Sequence, residues 1–320
     1  MEKGEVADMG NVNKIKCGTA GSLLNSLLQS ESGVSGAIAF ILLFGIVFSI
    51  YSAIHLGYVP EWKREIEDSH MTNIWKDMTE VKSKIDRSTL LLMSTSVHDS
   101  KSTLLNVNTK ISFHTGSPKV PLIDSTRSRG TISVNTDQYN MSLLPANGTE
   151  IPISYGTISY RSKNLYFIDQ TFRYENGALI LAQGEHATMK SFPAIRIFED
   201  SPGNYTFLIN AVEIQGSECI LSSSSDCTVY LKNYSFQSVY NDEYTDNFTL
   251  KMETEYPGAW EAYFKEVMEG ANLEESKNYT LNSENHSLNL LFPAENSTDR
   301  LKRIYVGKTT VNAEIGISLS

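Results

Sequence analysis

The stretch "SGVSGAIAFILLFGIVFSIYSAIHLGYVPEWKREIEDSH", residues 32–70, decides how the rest of the chain is read. Its first 29 residues, Ser32 to Pro60, carry no formal charge, and a charged segment follows at once. Between Ala37 and Ile54, eleven of eighteen residues are Ile, Leu, Val or Phe. On an insertion scale that run favours the bilayer by about 3–7 kcal/mol. A helix from Val34 to Val59 would be about 39 Å long, enough to span with tilt. The run has no polar face, unlike a helix at the surface of a soluble domain. It also exceeds the apolar core of a secretory signal, and no small-residue cleavage site follows it. The reading is a retained transmembrane helix at 33–59, preceded by a polar leader at 1–32.

The lysines and arginines flanking the span are too evenly divided to orient it. Two features place the C-terminal part outside the cell and the N-terminus in the cytoplasm. All N-x-[ST] acceptors, at Asn140, Asn147, Asn204, Asn233, Asn247, Asn278, Asn285 and Asn296, follow the span. Cys219 and Cys227 bracket "CILSSSSDC", a spacing that suits a disulfide across a Ser-rich hairpin tip. Such a bond would contribute about 2.5 kcal/mol and persist in an oxidising compartment. The third cysteine, Cys17, stands before the span. The chain's net charge of −10 argues against nucleic acid as a partner.

After Pro60, more than thirty residues pass without Gly or Pro. Met71, Ile74, Met78, Val81 and Ile85 recur at spacings of three and four, the a/d pattern of about two heptads. This predicts an amphipathic stalk helix at 60–96. Two heptads suit either contact with a second helix or a helix lying on its own domain. From residue 97 the period changes to two, in segments such as "GTISVNT", "GTISYRS", "GALILAQG" and "NYTFLINAVEIQG". Gly, Asn, Asp and Pro mark the turns, as in "YENGAL" and "EDSPGNY". One helix interrupts, "PGAWEAYFKEVMEG" at 257–270, with Trp260, Tyr263, Phe264 and Val267 on one face. The expected fold class is α+β: a membrane helix running into an amphipathic one, then a mostly antiparallel β-sheet or sandwich at 97–320 with a covering helix.

A short polar leader, the Gly-Val-Ser boundary, "GVSGAIAFILLFGIVFSIYSAIHLGYVP" and "DMTEVKSKID" resemble archaeal type IV pilin-like proteins with class III signal sequences. With "YGTISYRS", "YENGAL" and "YPGAWEAYF", the chain is most similar to an uncharacterised archaeal family of single-span, membrane-anchored pilin-like proteins. The resemblance implies peptidase cleavage after Gly33 or Gly36, with the apolar helix as assembly element. The family pattern sets Lys or Arg before that glycine, where this chain has Glu31 and Ser32. Many bacterial pilins also use a carboxylate near the start of the helix, and none lies between Ser32 and Pro60. Those departures favour a pilin-related protein that stays in the membrane over an assembled filament.

Few residues suggest chemistry. There is no phosphate-binding loop, no nucleophile elbow and no H-E-x-x-H, and the six histidines are scattered. "DEYTD" at 242–246 lacks the glycine and distal glutamate of a calcium loop. The sequence therefore indicates no catalysis, no metal and no cofactor. Tyr155, Tyr160, Tyr166, Phe167, Phe172 and Tyr174 fall in adjacent strand segments, either as cross-strand packing or as a carbohydrate-binding platform. Gly45 and Ser49, four apart, form a small-xxx-small face for helix packing. The leading expectation is a non-enzymatic, externally displayed pilin-like protein in cell-surface structure, adhesion or filament assembly. Its partners would be the lipid bilayer and copies of itself or other pilin-like subunits. The alternatives are an exterior ligand- or polysaccharide-binding module and a hydrolase with dispersed site residues. A buried stripe with an open aromatic cleft would favour binding; an exposed stripe would favour assembly.

Overall fold

The computed structural model describes residues 31–96, 103–115, 129–146, 148–223, 226–243 and 245–317. Residues 1–30 of the leader, Cys17 among them, and Asn147 lie outside the described residues. The chain divides into two units, 1–60 and 61–320.

In the first unit, helix α1 covers Glu31–Ala53 and a five-residue π-helical segment covers Ile54–Tyr58. The amide of Val59 reaches back to the carbonyl of Ile54, a widened turn one residue before Pro60. Proline has no N–H and its ring crowds the carbonyl four residues earlier, so a π turn is a common way for a helix to continue past it. Ile38, Phe40, Ile41, Leu42, Leu43, Phe44, Ile46, Val47, Phe48 and Ile50 are all exposed. This helix is long and apolar enough to cross a membrane.

The second unit is an α+β domain built on helix α2, Val59–Ser96. Its strands form two sheets. One contains β1 (Thr103–Leu105), β2 (Thr109–Phe113), β8 (Ile195–Ser201), β9 (Asn204–Gln215), β11 (Cys227–Glu243) and β15 (Arg300–Ile317). Its order is β1-β11-β15-β9-β8, with β2 also on β11, and only β9 and β15 run parallel. The other contains β3 (Arg129–Pro145), β4 (Ile151–Lys163), β5 (Thr171–Glu175), β6 (Ala178–Gln183), β7 (His186–Ser191), β10 (Cys219–Ser223), β12 (Phe248–Glu253), β13 (Thr280–Glu284) and β14 (Ser287–Phe292). It is antiparallel in the order β13-β14-β12-β3-β4-β5-β6-β7, with β10 on the free half of β3. The "YENGAL" turn joins β5 to β6 through Asn176 and Gly177, both at positive φ (44° and 81°). Asn-Gly is the pair that such a two-residue hairpin selects.

Two apolar cores follow. One lies under α3, Pro257–Gly270, where Trp260, Tyr263, Phe264 and Met268 are buried against strands of both sheets. The other is organised by α2. Met71, Ile74, Met78, Val81 and Ile85 are all at most 2% exposed and pack with Ile132, Tyr160, Val229, Leu231 and other residues of both sheets. The stripe also runs further than the two heptads read from sequence. Glu67, Ser88 and Leu92 extend the three/four spacing, and all three are buried. The amphipathic helix expected at 60–96 is present, and of the two uses its stripe suited, the helix lies on its own domain: from Glu61 it belongs to the β-rich unit.

Candidate functional site

The exposed apolar surface of α1 is the first candidate. Its aromatic side chains align every fourth residue: Phe40 stacks on Phe44 at 6.5 Å and Phe44 on Phe48 at 6.3 Å. Elsewhere on the helix, the Ser49 hydroxyl donates to the Gly45 carbonyl at 2.7 Å. That bond satisfies the hydroxyl inside the helix and leaves Gly45 with nothing within 4 Å of a would-be Cβ. Gly45 and Ser49 thus form a shallow, self-satisfied notch. Gly33 and Gly36 both lie within α1.

The start of α2 carries a polar cluster that the sequence did not reveal. Glu67 is fully buried. Its carboxylate accepts the backbone amides of Leu165, Tyr166 and Phe167, the last two at 2.7 Å. Lys63, one turn earlier, lies 5.2 Å from the Tyr166 ring centre. His70 Nε2 hydrogen-bonds the Tyr160 hydroxyl at 3.0 Å. Burial, aided by His114 and opposed by Glu67, lowers the His70 pKa, so the imidazole is neutral near pH 7. This cluster clasps the helix to the β4–β5 loop.

A second buried network sits beneath α3. Glu175 is fully buried, and one of its oxygens accepts Trp260 Nε1 at 2.6 Å and the Thr254 hydroxyl at 2.5 Å. Its other oxygen has no partner. Arg173, next to it in sequence, pairs with Asp137 at 2.7 Å. Burial raises the Glu175 carboxyl above its ordinary value. A carboxyl whose pKa is raised by folding binds more protons folded than unfolded, so stability falls as pH climbs from about 4.3 through the folded value. Glu175→Gln keeps an oxygen for Trp260 and Thr254 and removes the titration. The expected result is a smaller loss of unfolding free energy between pH 4 and pH 7.5 than in the parent, read from denaturant curves at each pH. An unchanged slope would assign the pH dependence to other groups.

The aromatic residues proposed as a platform divide. Tyr155, Tyr160, Phe172 and Tyr174 are at most 3% exposed and belong to the cores, which removes the platform; only Tyr166 is exposed, and Phe167 is half-buried. The cysteine reading is also corrected. Cys219 and Cys227 are free. "CILSS" is not a loop tip but strand β10, paired with β3 in one sheet, while Cys227 opens β11 in the other. Burial pushes the Cys227 thiol up to about 11, which makes it unreactive.

Among the candidate glycan acceptors, Asn140, Asn233, Asn247, Asn285 and Asn296 are exposed. Asn204 and Asn278 are half-buried, and their amide nitrogens already donate, Asn204 to Ser201 and Pro202 and Asn278 to Asp299. Among the described residues, no three His, Cys, Asp or Glu side chains are grouped to hold a metal ion.

No curated protein and no solved structure matches this chain. Residues 33–285 match the family of unknown function DUF7289, from the apolar helix through β13. The match covers most of the sequence, and the chain belongs to that family.

Proposed function

We propose that this member of the DUF7289 family is a single-span, membrane-anchored protein of pilin-like build that displays its β-rich domain outside the cell. Its role is structural, in the cell surface, adhesion or assembly with other subunits, and it performs no catalysis. One observation carries the reading: α1 is apolar and exposed on every side. Exposed apolar surface on that scale needs a non-aqueous partner. Lipid supplies it, and the Gly45–Ser49 notch offers a place for a second helix. The buried stripe of α2 counts against assembly through that helix and leaves α1 to make any contact with like subunits.

The test is made on cells producing the full chain. The protein is expected to remain in the membrane pellet after alkaline carbonate, and protease added to intact cells is expected to remove residues 61–320. A Gly45→Cys variant, treated with a thiol crosslinker in membranes, is expected to give dimers that Val47→Cys, on the opposite side of the helix, does not. Release by carbonate would overturn the anchor. Protection of the domain in intact cells, with digestion in opened ones, would overturn external display. Equal crosslinking at both positions would remove the helix-packing face.

A further inference from the structure

The α+β domain contains one feature that anchoring does not use. Between the C-terminal half of α2 and the β8-β9-β15-β11 part of the first sheet lies a cleft of about 1320 Å³. Thr89 lines it from the helix and Asn210 from β9. Both residues are at least nine-tenths buried, and Thr89 Oγ1 and Asn210 Oδ1 have no hydrogen-bond partner. A buried polar atom left unpaired costs about 1–3 kcal/mol, so native folds rarely keep one without a use. Here two are found, on residues from different elements that line the same cleft.

The floor is shaped for it. Gly307 on β15 pairs with Asn210 on β9. A Cβ at Gly307 would lie 2.7 Å from the Phe236 ring and 3.2 Å from Asn210 Oδ1. The missing side chain lets both groups occupy the floor, and glycine within a strand commonly marks such an approach. Phe192 and Tyr305 add aromatic surface to the walls.

Charge narrows the occupant. Lys82 is neutralised by Asp86 at 2.9 Å and donates to the Gly177 carbonyl at 2.7 Å, so it is already engaged. Arg196 and Arg303 also line the cleft, and Arg303 Nε is held by Asn241 Oδ1 at 3.1 Å. Two guanidinium groups thus lie on this cleft in a chain of net charge −10. Arginine favours carboxylate and sulfate through paired N–H donors. Asn210 Oδ1 accepts only from a donor such as a hydroxyl, and aromatic walls suit the apolar face of a sugar ring.

We infer that the cleft binds an acidic saccharide, its carboxylate or sulfate on Arg196 and Arg303 and its hydroxyls on Asn210 and Thr89. Binding is a property of the folded domain and does not depend on the anchor or its orientation, so the failure of either proposal leaves the other standing.

The test titrates the full chain in detergent micelles with tetragalacturonate and, in parallel, with neutral maltotetraose, by calorimetry. Tetragalacturonate is expected to bind at least about tenfold more tightly than maltotetraose, the worth of one charge-assisted contact. Arg196→Ala, on an exposed side chain, and Arg303→Ala are each expected to weaken it by about tenfold. Asn210→Ala is expected to abolish measurable binding without lowering the melting temperature, because the lost oxygen had no partner. A purely structural asparagine would lower it. No binding of tetragalacturonate, equal binding of the two sugars, or indifference to all three substitutions would overturn the inference.

Discussion

Ile74→Asp unfolds the β-rich domain or lowers its stability by about 4 kcal/mol or more. Ile74 is fully buried at the middle of the α2 stripe and belongs to the core that joins the helix to both sheets. The substitution removes a large apolar side chain and leaves a carboxylate in its place. Losing the side chain alone costs about 2–5 kcal/mol. An unpaired buried charge adds several more or forces the carboxyl to stay protonated. A domain of ordinary stability has about 5–15 kcal/mol to lose. Asn73→Asp, on the neighbouring exposed position, is the control and is expected to change stability by less than about 0.5 kcal/mol. Denaturant unfolding followed by tryptophan fluorescence reads both, since Trp260 sits in the other core. Equal midpoints for the two variants would mean that α2 is not part of the cooperative domain.

That prediction also shows what could be read in advance. The five apolar residues from Met71 to Ile85 announce a helix with one buried face, because helical geometry leaves no other use for that spacing. Whether the face meets a second chain or its own domain is not encoded locally. It depends on sheets whose strands lie up to about 240 residues away. The stripe looked short because its outer positions are filled by Glu67 and Ser88, polar residues that only tertiary hydrogen bonds or a helix end make tolerable. Alternation identified most strands, and α3 was legible from its aromatic face and its terminal Pro257 and Gly270.

The cysteine pair misled because serine is common in both turns and edge strands. "CILSS" alternates weakly, and only pairing with β3 makes it a strand. The tyrosines of β4 and β5 carry the same letters whether they face solvent or core. Burial separates the two outcomes, and it follows from where the helices lie: α2 for Tyr160 and Tyr174, the core under α3 for Tyr155. The cleft could not be read at all: Thr89, Asn210, Phe236 and Arg303 come from four elements, and no short motif joins them.

Glu67→Ala is expected to lower stability by about 2–4 kcal/mol, the larger part from three backbone amides that lose a charged acceptor. Oε2 accepts Tyr166 and Phe167 at 2.7 Å each, and Oε1 accepts Leu165 at 3.0 Å. No other residue of the stripe could do this, since the neighbouring positions are apolar and the loop amides point at the helix. The cost stays below that of Ile74→Asp because the loop is open on one side. Leu165 is 66% exposed and Tyr166 41%, so water can reach freed amides there. Glu67→Gln should fall between parent and alanine: its amide keeps one acceptor oxygen and turns two donors toward other donors. Hydrogen exchange locates the effect. In Glu67→Ala, amides 165–167 are expected to lose protection first, while those of β12 and β14 change only with global unfolding. If the alanine variant unfolds at the parent's midpoint with 165–167 still protected, the carboxylate is a passenger, and the helix is held by its apolar stripe alone.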